Sequence, residues 1–317
     1  MNVLVTGGAG FIGSNLVDRL VEQGDDVTVL DDLSTGFREH VHASARFVEG
    51  DVGDAEAVSE ATADAEIVFH HAAHRAVARS IDEPLGTDTA NVHGTLTLLK
   101  ASVDHGVRRL VYASSSSVYG GIAPVPTSEA SPPFPRSPYA VTKVVSEQYC
   151  RVFAELFGLE TVSLRPFNVY GPRQRPDSAY AAVVPLFIDA LTAGRPPTVH
   201  GDGKQSRDFT FISDVVDANL AAARAPASVC AGNTFNIAGG VSHSLLDLLE
   251  ILGRILGVEP EPDFVAHRAG DIRHSGADLT AARRDLGYEP CVTYEEGLVR
   301  TVEWTRQRAS ALRNDRS

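Results

Sequence analysis

The chain has 317 residues, a hydrophobic content of 43% and a formal net charge of −13 at pH 7. That length allows one large domain or two coupled ones, and that composition is ordinary for a globular chain. The acidic balance argues against a nucleic-acid surface, which requires a basic face, but leaves a nucleotide ligand open. No run of about 18 apolar residues occurs, so we expect no membrane span.

Two features of the chain bear on its compartment. The cysteines are few, widely spaced and without metal-binding spacing, which favours a reducing environment; they are Cys150, Cys230 and Cys291. The first predicted strand begins at Asn2, which leaves no room for a signal peptide. We therefore expect a cytoplasmic protein without a metal site.

A glycine-rich loop follows the first predicted strand, VLVT. Gly7, Gly10 and Gly13 fit G-x-x-G-x-x-G, and Gly8 with the last two fits G-x-G-x-x-G. Glycine is required there because the chain turns sharply and its backbone must approach a pyrophosphate. The helix-like segment 13–23 then offers free N–H groups to phosphates. The loop predicts a dinucleotide site; a structural turn in another α/β protein is the alternative.

The second predicted strand, DVTVL, ends in Asp31 and Asp32. An acidic residue about 20 positions after the glycines binds a ribose hydroxyl and repels a 2′-phosphate. This spacing favours NAD over NADP.

Strands and helices alternate through the first half of the chain. Further strand-like runs are RFVEG, EIVFH, RLVYAS and TVSLR, and helical patterns cover 55–63, 89–105 and 138–157. Alternating βα units predict an α/β fold with a doubly wound parallel sheet of the Rossmann type, whose ligands bind beyond the carboxyl ends of the strands. We predict that residues 1–166 form this domain.

The pattern changes after Arg165. A loop-like stretch, RPFNVYGPRQRPDSAY, precedes a predicted helix at 182–193, a hairpin at 197–212 with its turn at 201–204, and a strand in NTFNIAGG. We expect residues 167–317 to form a smaller α+β substrate domain, and part of 208–240 to rejoin the large sheet.

Tyr139 and Lys143 stand at spacing i, i+4 in SPYAVTK, and Pro138 suits the first turn of a helix. Both side chains therefore share one helix face. A lysine close to a phenol lowers its pKa, so that tyrosine can act as a base near neutral pH. A surface pair on a helix is the alternative.

Two further clusters end predicted strands. Ser114–Ser117 follow RLVYA, at the sheet edge where active sites form, so one hydroxyl can bond the reacting oxygen of a substrate. No G-x-S-x-G elbow surrounds them, which argues against a serine hydrolase. In FHHAAH, His70 and His71 alternate faces and cannot easily share a metal ion. A loop beside the cofactor is the better interpretation.

Together these residues resemble the extended short-chain dehydrogenase/reductase superfamily, and within it the NAD-dependent sugar-nucleotide epimerases, especially the UDP-hexose 4-epimerases. The resemblance spans nearly the whole chain, through TGGAGFIG, Asp31, GDV at 50–52, FHHAA, NVHGT, SSSSVYG, SPYAVTK, RPFNVYGPRQ, GDGKQSRDF and RAGDIRHSGAD.

The resemblance implies roles for particular residues. The catalytic set would be Ser115, Tyr139 and Lys143. The cofactor NAD would be bound by Gly7, Gly10, Phe11, Ile12, Gly13, Asp31, Asp51, Val52, His71, Ala72, Ala73, Tyr139 and Lys143. The UDP-sugar would be bound by Ser115, Ser116, Asn168, Arg207, Arg268 and Ser275. The resemblance also implies a homodimer through the helices at 89–105 and 138–157.

The implied reaction is NAD-dependent 4-epimerisation of a UDP-hexose through a 4-keto intermediate. Sugar-nucleotide dehydratases carry an Asp-Glu pair, and UDP-glucuronate decarboxylases a Glu, where this chain has Ser116 and Ser117. Dehydration needs an acid and a base beyond tyrosine, so these serines disfavour a dehydratase. UDP-glucuronate 4-epimerases also carry serines there and stay open, as does a reductase. A non-catalytic nucleotide sensor is the alternative from another class.

Overall fold

The computed structural model describes residues 1–176, 182–267 and 272–314 of the chain. The strands, β1 to β13 in chain order, are Asn2–Thr6, Asp26–Asp31, Arg46–Glu49, Ile67–His70, Arg109–Ala113, Glu160–Pro166, Val169–Tyr170, Thr198–His200, Ser206–Asp208, Thr210–Phe211, Asn233–Ile237, Ser242–Ser244 and Asp263–Val265. The α-helices, α1 to α11, are Phe11–Glu22, Ala55–Thr62, Val77–Asp82, Pro84–Asp88, Gly94–Asp104, Pro138–Phe157, Val183–Thr192, Ile212–Arg224, Ala227–Cys230, Leu245–Leu256 and Tyr294–Asn314.

Strand β1 shows why the sheet lies between two layers. Its side chains point alternately to opposite faces, and both faces are apolar, as expected of a parallel sheet buried on both sides. Val3 and Val5 pack into one core cluster with Leu16 of α1. Leu4 packs into a second cluster on the other face, with Leu98 of α5. Burial on both faces fixes the strand at the centre of the sheet.

Seven strands form one parallel sheet in the order β11-β6-β5-β4-β1-β2-β3. The chain winds outward from β1 in one direction through β2 and β3, and in the other through β4, β5 and β6. The order therefore reverses between β1 and β4, where such sheets bind their ligands. The predicted Rossmann-type sheet is confirmed.

Strand β11 pairs with β6 in parallel, so the expected return of the NTFNIAGG segment to the large sheet is also confirmed. The preceding helix α8 packs beside α1 on the first face. The division of the chain into two domains near residue 166 stays a prediction.

Helix α6 carries the predicted catalytic pair and has the predicted bounds. The Ser137 hydroxyl accepts a hydrogen bond from the Ala140 N–H, Pro138 occupies the first turn, and Gly158 ends the helix in a left-handed conformation. The predicted helix at 89–105 begins instead with a π-helical turn at Thr89–His93.

Elements after β6 that lie outside the large sheet, among them α7, α10 and α11, pack together and are here called the lobe. Its own core combines Phe187 of α7, Phe209, Leu248 of α10 and Leu298 of α11. The predicted hairpin at 197–212 is wrong. Strand β8 pairs with β13 in parallel, whereas β9 pairs with β12, so the two runs belong to different small sheets. The turn at 201–204 exists, but the strands on its two sides, β8 and β9, pair with strands that lie far along the chain.

Within the three described ranges, no helix is long and apolar enough to span a membrane.

Candidate active site

The glycine-rich loop lies at the point where the strand order reverses. At Gly7, φ is +70°, and a Cβ would lie 2.6 Å from the Ala72 N of the loop after β4. A Cβ at Gly13 would strike the Gly7 carbonyl. Side chains are therefore excluded from a concave stretch of backbone. Gly10 caps α1 without a side chain, which leaves the first-turn N–H groups directed toward this concavity.

Asp31 ends β2 beside this loop. Its carboxylate accepts hydrogen bonds from the Ala9 N–H at 2.9 Å and from the Leu33 N–H at 2.9 Å. Burial raises the pKa of Asp31, and these two hydrogen bonds act against that rise. The carboxylate is thus held at the end of β2, the position from which a ribose hydroxyl would be bound.

The three predicted catalytic residues come from two elements that meet at the carboxyl edge of the sheet. Ser115 follows β5, while Tyr139 and Lys143 lie on the first turns of α6. The Lys143 Nζ donates to the Ala113 carbonyl at 2.7 Å and lies 5.7 Å from the centre of the Tyr139 ring. Tyr139 is only 8% exposed and Lys143 only 4%, so both polar groups are held in a nearly dry environment.

The electrostatics of this pair differ from the prediction. Burial raises the pKa of Tyr139 above its ordinary value, and the groups that act against the rise are the Ser115 hydroxyl and the Arg75 guanidinium. Burial also lowers the pKa of Lys143 to about 8. The predicted lowering of the Tyr139 pKa by Lys143 is not what the structure shows, because the ammonium is directed to the Ala113 carbonyl and desolvation dominates both groups.

His70 and His71 point to opposite faces of the sheet, as expected: His70 contacts Thr95 of α5, and His71 contacts Asn219 of α8. His70 is buried between Thr6 and Thr95, whose hydroxyls lie 2.7 and 2.9 Å from its two ring nitrogens. The His71 Nε2 lies 3.1 Å from the Asn219 Oδ1, and burial lowers its pKa to about 4. His71 is therefore neutral near pH 7.

One cavity of about 570 Å³ collects these features. Its lining includes all the predicted cofactor residues, together with the predicted substrate residues Ser115, Ser116, Asn168, Arg207 and Ser275. Arg268, the remaining predicted substrate residue, lies outside the described residues. The roles of these residues stay predictions, but the fold brings them to one site.

A second cavity, of about 1070 Å³, adjoins the first between the sheet edge and the lobe. Asn168 and Arg207 line both, so a ligand in the first cavity can extend into the second. Asn168 has a positive φ of 28°, and its side-chain amide donates to the Asp208 carbonyl at 3.3 Å. The left-handed backbone conformation and this hydrogen bond together fix the position of Asn168 in the cavity wall.

Two arginines and a glutamine that the sequence did not predict as site residues line both cavities: Arg75, Gln174 and Arg175. Arg75 stands in the loop after β4, at the strand-order reversal, and that position was the signal for it. Arg175 lies over the Phe37 ring, 4.3 Å from its centre. With Arg207, three arginines line both cavities although the whole chain is acidic.

These features define a dinucleotide-dependent enzyme. The doubly wound sheet has a side-chain-free loop at its reversal point and an acid at the end of β2, and a buried tyrosine–lysine pair lies on the first turns of α6. The family profile described as NAD dependent epimerase/dehydratase family matches residues 3–238. The chain therefore belongs to the NAD-dependent epimerase/dehydratase family, in the extended short-chain dehydrogenase/reductase superfamily, and NAD is its cofactor.

Curated and solved relatives agree with this assignment. The chain is 43% identical over 316 residues to the UDP-glucose 4-epimerase of Mycolicibacterium smegmatis, covering 98% of this chain and 100% of the relative. It is similar to the crystal structure of a UDP-glucose 4-epimerase with UDP-glucose from Thermotoga maritima, with a TM-score of 0.93, 40% identity, and coverage of 98% and 100%. It is also similar to a UDP-N-acetylglucosamine 4-epimerase from Methanobrevibacter ruminantium in complex with UDP-N-acetylmuramic acid, with a TM-score of 0.91, 37% identity, and coverage of 97% and 98%.

Asp31→Asn should shift dinucleotide preference toward NADP. The amide keeps an acceptor for the neighbouring N–H groups but removes the charge that repels a 2′-phosphate. We expect the ratio of NADP to NAD affinity to rise roughly tenfold or more, which corresponds to about 1.4 kcal/mol. Calorimetric titration of both dinucleotides measures the ratio. Asp64→Asn, at an exposed acid outside the cavity, is the control, and an unchanged ratio in Asp31→Asn would place the ribose elsewhere.

Proposed function

We propose that the protein interconverts a UDP-hexose and its 4-epimer through a transient 4-keto sugar. The observation that carries the proposal is the convergence of the NAD site and Ser115, Tyr139 and Lys143 on one cavity that continues into a second, arginine-lined cavity. The first suits the cofactor and the reacting sugar. The second suits the nucleotide diphosphate.

The cofactor site fits NAD. Gly7 and Gly13 stand where a Cβ would fill the cradle, and the Asp31 carboxylate lies beside it. When bound, NAD supplies a hydride acceptor and donor for carbon 4 of the sugar. Phe11, Ile12 and Gly13 would bind its phosphates through their N–H groups, Asp51 and Val52 would contact the adenine, and Lys143 would bind the nicotinamide ribose.

Tyr139 acts as the base in this scheme. It removes the proton of the sugar 4-hydroxyl as carbon 4 is oxidised, and it returns that proton after the sugar has rotated. Without a sugar in the site, the Ser115 hydroxyl and Arg75 both stabilise the phenolate relative to the phenol. With a sugar bound, Ser115 would donate its one O–H to the reacting oxygen instead. Burial favours the phenol, and Ser115 and Arg75 act against it, so both affect the pKa at which Tyr139 takes up the proton. Because the hydride returns to the same sugar, no net redox change occurs.

Asn168, Arg207 and Arg268 would hold the UDP, since guanidinium groups pair well with phosphate oxygens. The nucleotide must be gripped firmly and the sugar loosely, so that only the sugar turns over. Ser116 and Ser117 in the cavity provide hydroxyls rather than the acid and base that dehydration requires. UDP-glucuronate is a second candidate substrate, because Arg75 in the same cavity offers a cation to a sugar carboxylate.

Tyr139→Phe should lower turnover by roughly 10²–10⁴-fold, the usual contribution of general acid–base catalysis. Binding of NAD and UDP should change little, since the ring remains. Product NMR on UDP-glucose, UDP-N-acetylglucosamine and UDP-glucuronate, each alone, measures turnover and identifies the substrate. Tyr149→Phe, on the same helix but outside the cavity, is the control. Near-wild-type turnover in folded Tyr139→Phe would assign the base to another residue.

Ser275 is proposed to border the substituent at carbon 2 of the sugar. It lines the cavity, its backbone N–H donates to the Ser206 carbonyl at 3.1 Å, and its carbonyl accepts from the Ser242 hydroxyl at 2.9 Å, so its position is fixed. A small residue leaves room for an acetamido group, which is why we propose that N-acetylated UDP-hexoses are accepted alongside plain ones.

Ser275→Tyr should therefore reduce kcat/KM for UDP-N-acetylglucosamine at least roughly tenfold while sparing UDP-glucose, because a bulky ring costs about 1–3 kcal/mol where it overfills a packed site. Ser275→Ala stays small and should match the wild type on both substrates. Equal losses on both substrates in the tyrosine variant would show that Ser275 does not border carbon 2.

We propose a homodimer through α6 and the helix that begins with the 89–93 turn. Apolar side chains are exposed beside this face, with Leu85 83% and Val141 46% accessible. Light scattering after gel filtration should give twice the mass of one chain. Leu85→Glu should shift it toward the monomer, whereas Val258→Glu, at an exposed apolar position of the lobe, should not. A monomeric wild type would contradict the proposal.

A further inference from the structure

A buried carboxylate that the proposed reaction does not use lies directly beneath the catalytic residues. Glu147 follows Lys143 by one turn of α6, and residues at this spacing are neighbours on a helix surface. Both side chains point into the protein, and Glu147 is 4% exposed. A carboxylate so deep in a protein is rare unless it has partners.

The partners of Glu147 connect it to the strand that carries Ser115. Its Oε1 accepts a hydrogen bond from the Ser114 hydroxyl, and Ser114 is the residue directly before Ser115. Arg165 of β6 donates to the same carboxylate in bidentate fashion, from Nε at 2.8 Å and from Nη2 at 2.7 Å. The carboxylate thus joins α6, the end of β5 and β6.

The network continues across the sheet to the neighbouring strand β11. The Arg165 Nη1 donates to the Tyr119 hydroxyl at 2.7 Å, and this hydroxyl donates to the Asn236 Oδ1 at 2.7 Å. The Asn236 amide in turn donates to the Thr127 carbonyl at 2.9 Å. Every polar group along this line is therefore given a partner, which fixes the orientation of Arg165 and hence of Glu147.

Stability alone does not account for this pair. The side chains of Arg165 and Glu147 are 6% and 3% accessible, so both charges are removed from water. Desolvation of a buried ion pair offsets most of its Coulomb attraction, and apolar replacements of such pairs are often neutral or stabilising. A function in the adjacent site is the better explanation of the carboxylate.

The charge of Lys143 depends on its surroundings. Burial lowers the pKa of Lys143 to about 8, and Glu147 is the strongest group that acts in the opposite direction, followed by Cys150. The other ionisable groups around Lys143 are the phenols of Tyr139 and Tyr112 and two histidines of the β4 end, His70 and His71. Burial keeps both histidines neutral near pH 7, so Glu147 is the anion of this set.

We propose that Glu147 is a positioning residue of the active site: its carboxylate keeps the Lys143 ammonium charged and, through Ser114, fixes the end of β5 that presents Ser115. The consequence for turnover rests on the proposed epimerisation, whereas the effect on Lys143 concerns this chain alone. Lys143 carries its charge below its pKa and loses it as the pH rises through about 8. Turnover that needs the ammonium should therefore fall on the alkaline side, and removal of Glu147 should move that fall to lower pH.

The small number of lysines makes the test direct. The chain has only Lys100, Lys143 and Lys204, and the first and last are exposed. In the NAD-loaded protein labelled with ¹³C at lysine Cε, three signals can be titrated by NMR, and Lys143→Met assigns the buried one. Glu147→Gln should lower the titration midpoint of Lys143 by roughly one pH unit or more. The alkaline midpoint of kcat should move by the same amount, with KM for the UDP-hexose little changed.

Three further variants separate charge from packing. Glu155→Gln makes the same change on an exposed carboxylate of α6 and should leave the Lys143 midpoint in place. Glu147→Asp keeps the charge and should stay closer to the wild type than Glu147→Gln. Glu147→Gln leaves the Arg165 charge unpaired, so Glu147→Gln/Arg165→Gln provides a neutral pair if the single variant does not fold. Its midpoint should lie between those of the wild type and the single variant, because a repelling cation has also been removed.

A Lys143 midpoint that is unchanged in every folded Glu147 variant would overturn the proposal. So would a normal alkaline limb of kcat combined with a lowered Lys143 midpoint, since the charge would then have no role in turnover. If the wild type epimerises no UDP-hexose, the proposed function fails, while the lysine titration still decides whether Glu147 sets the charge of Lys143.

Discussion

The close approach of the loops after β1 and β4 is the constraint on which the rest of the site depends. At Gly7 the backbone passes so near to Ala72 that no side chain can stand there, and Gly13 brings α1 onto the same turn. This contact places the positive end of α1, the end of β2 and the loop with Arg75 around one concave surface. The helices that follow β1 and β4 pack on opposite faces of the sheet, α1 on one and α5 on the other, and this divergence leaves the crevice that the cavity occupies. A Cβ at either glycine would push these elements apart and remove the cradle.

Burial gives the catalytic helix its chemical character. It raises the pKa of Tyr139 and lowers that of Lys143, so it favours the neutral form of each group and leaves the phenol with a higher proton affinity than the amine. A neutral, buried Tyr139 would be a poor base, and a neutral, buried Lys143 would bind a ribose oxygen less strongly than an ammonium. The surrounding charges act against this effect of burial: Arg75 favours the phenolate from the cavity side, and Glu147 favours the ammonium from the interior. The buried pair therefore needs a cation near Tyr139 and an anion near Lys143.

The parallel sheet, the glycine loop and helix α6 could be predicted because local patterns specify them. Val3, Leu4 and Val5 read as a strand buried on both faces, and Ser137, Pro138 and Gly158 mark both ends of α6. The pairing of β8 could not be predicted, since its partner β13 is more than 60 residues away and is exposed along its length. Arg75 was missed because nothing in its own neighbourhood distinguishes it from a surface arginine. Its place beside Tyr139 follows only from the strand order.

The two adjoining cavities differ in what holds their walls, and this difference would suit the rotation of the sugar in the proposed reaction. The first cavity is built from strand ends and the glycine loop, whose backbone contacts leave little freedom. The second is closed largely by the lobe, which meets the sheet edge through short strands and the residues around Asn168 and Arg207. A diphosphate held by arginines at the junction would fix one end of the ligand by charge. The sugar beyond it would be bounded by small residues, such as Ser115, Ser116 and Ser275, which offer hydrogen bonds without filling the space that a second orientation requires.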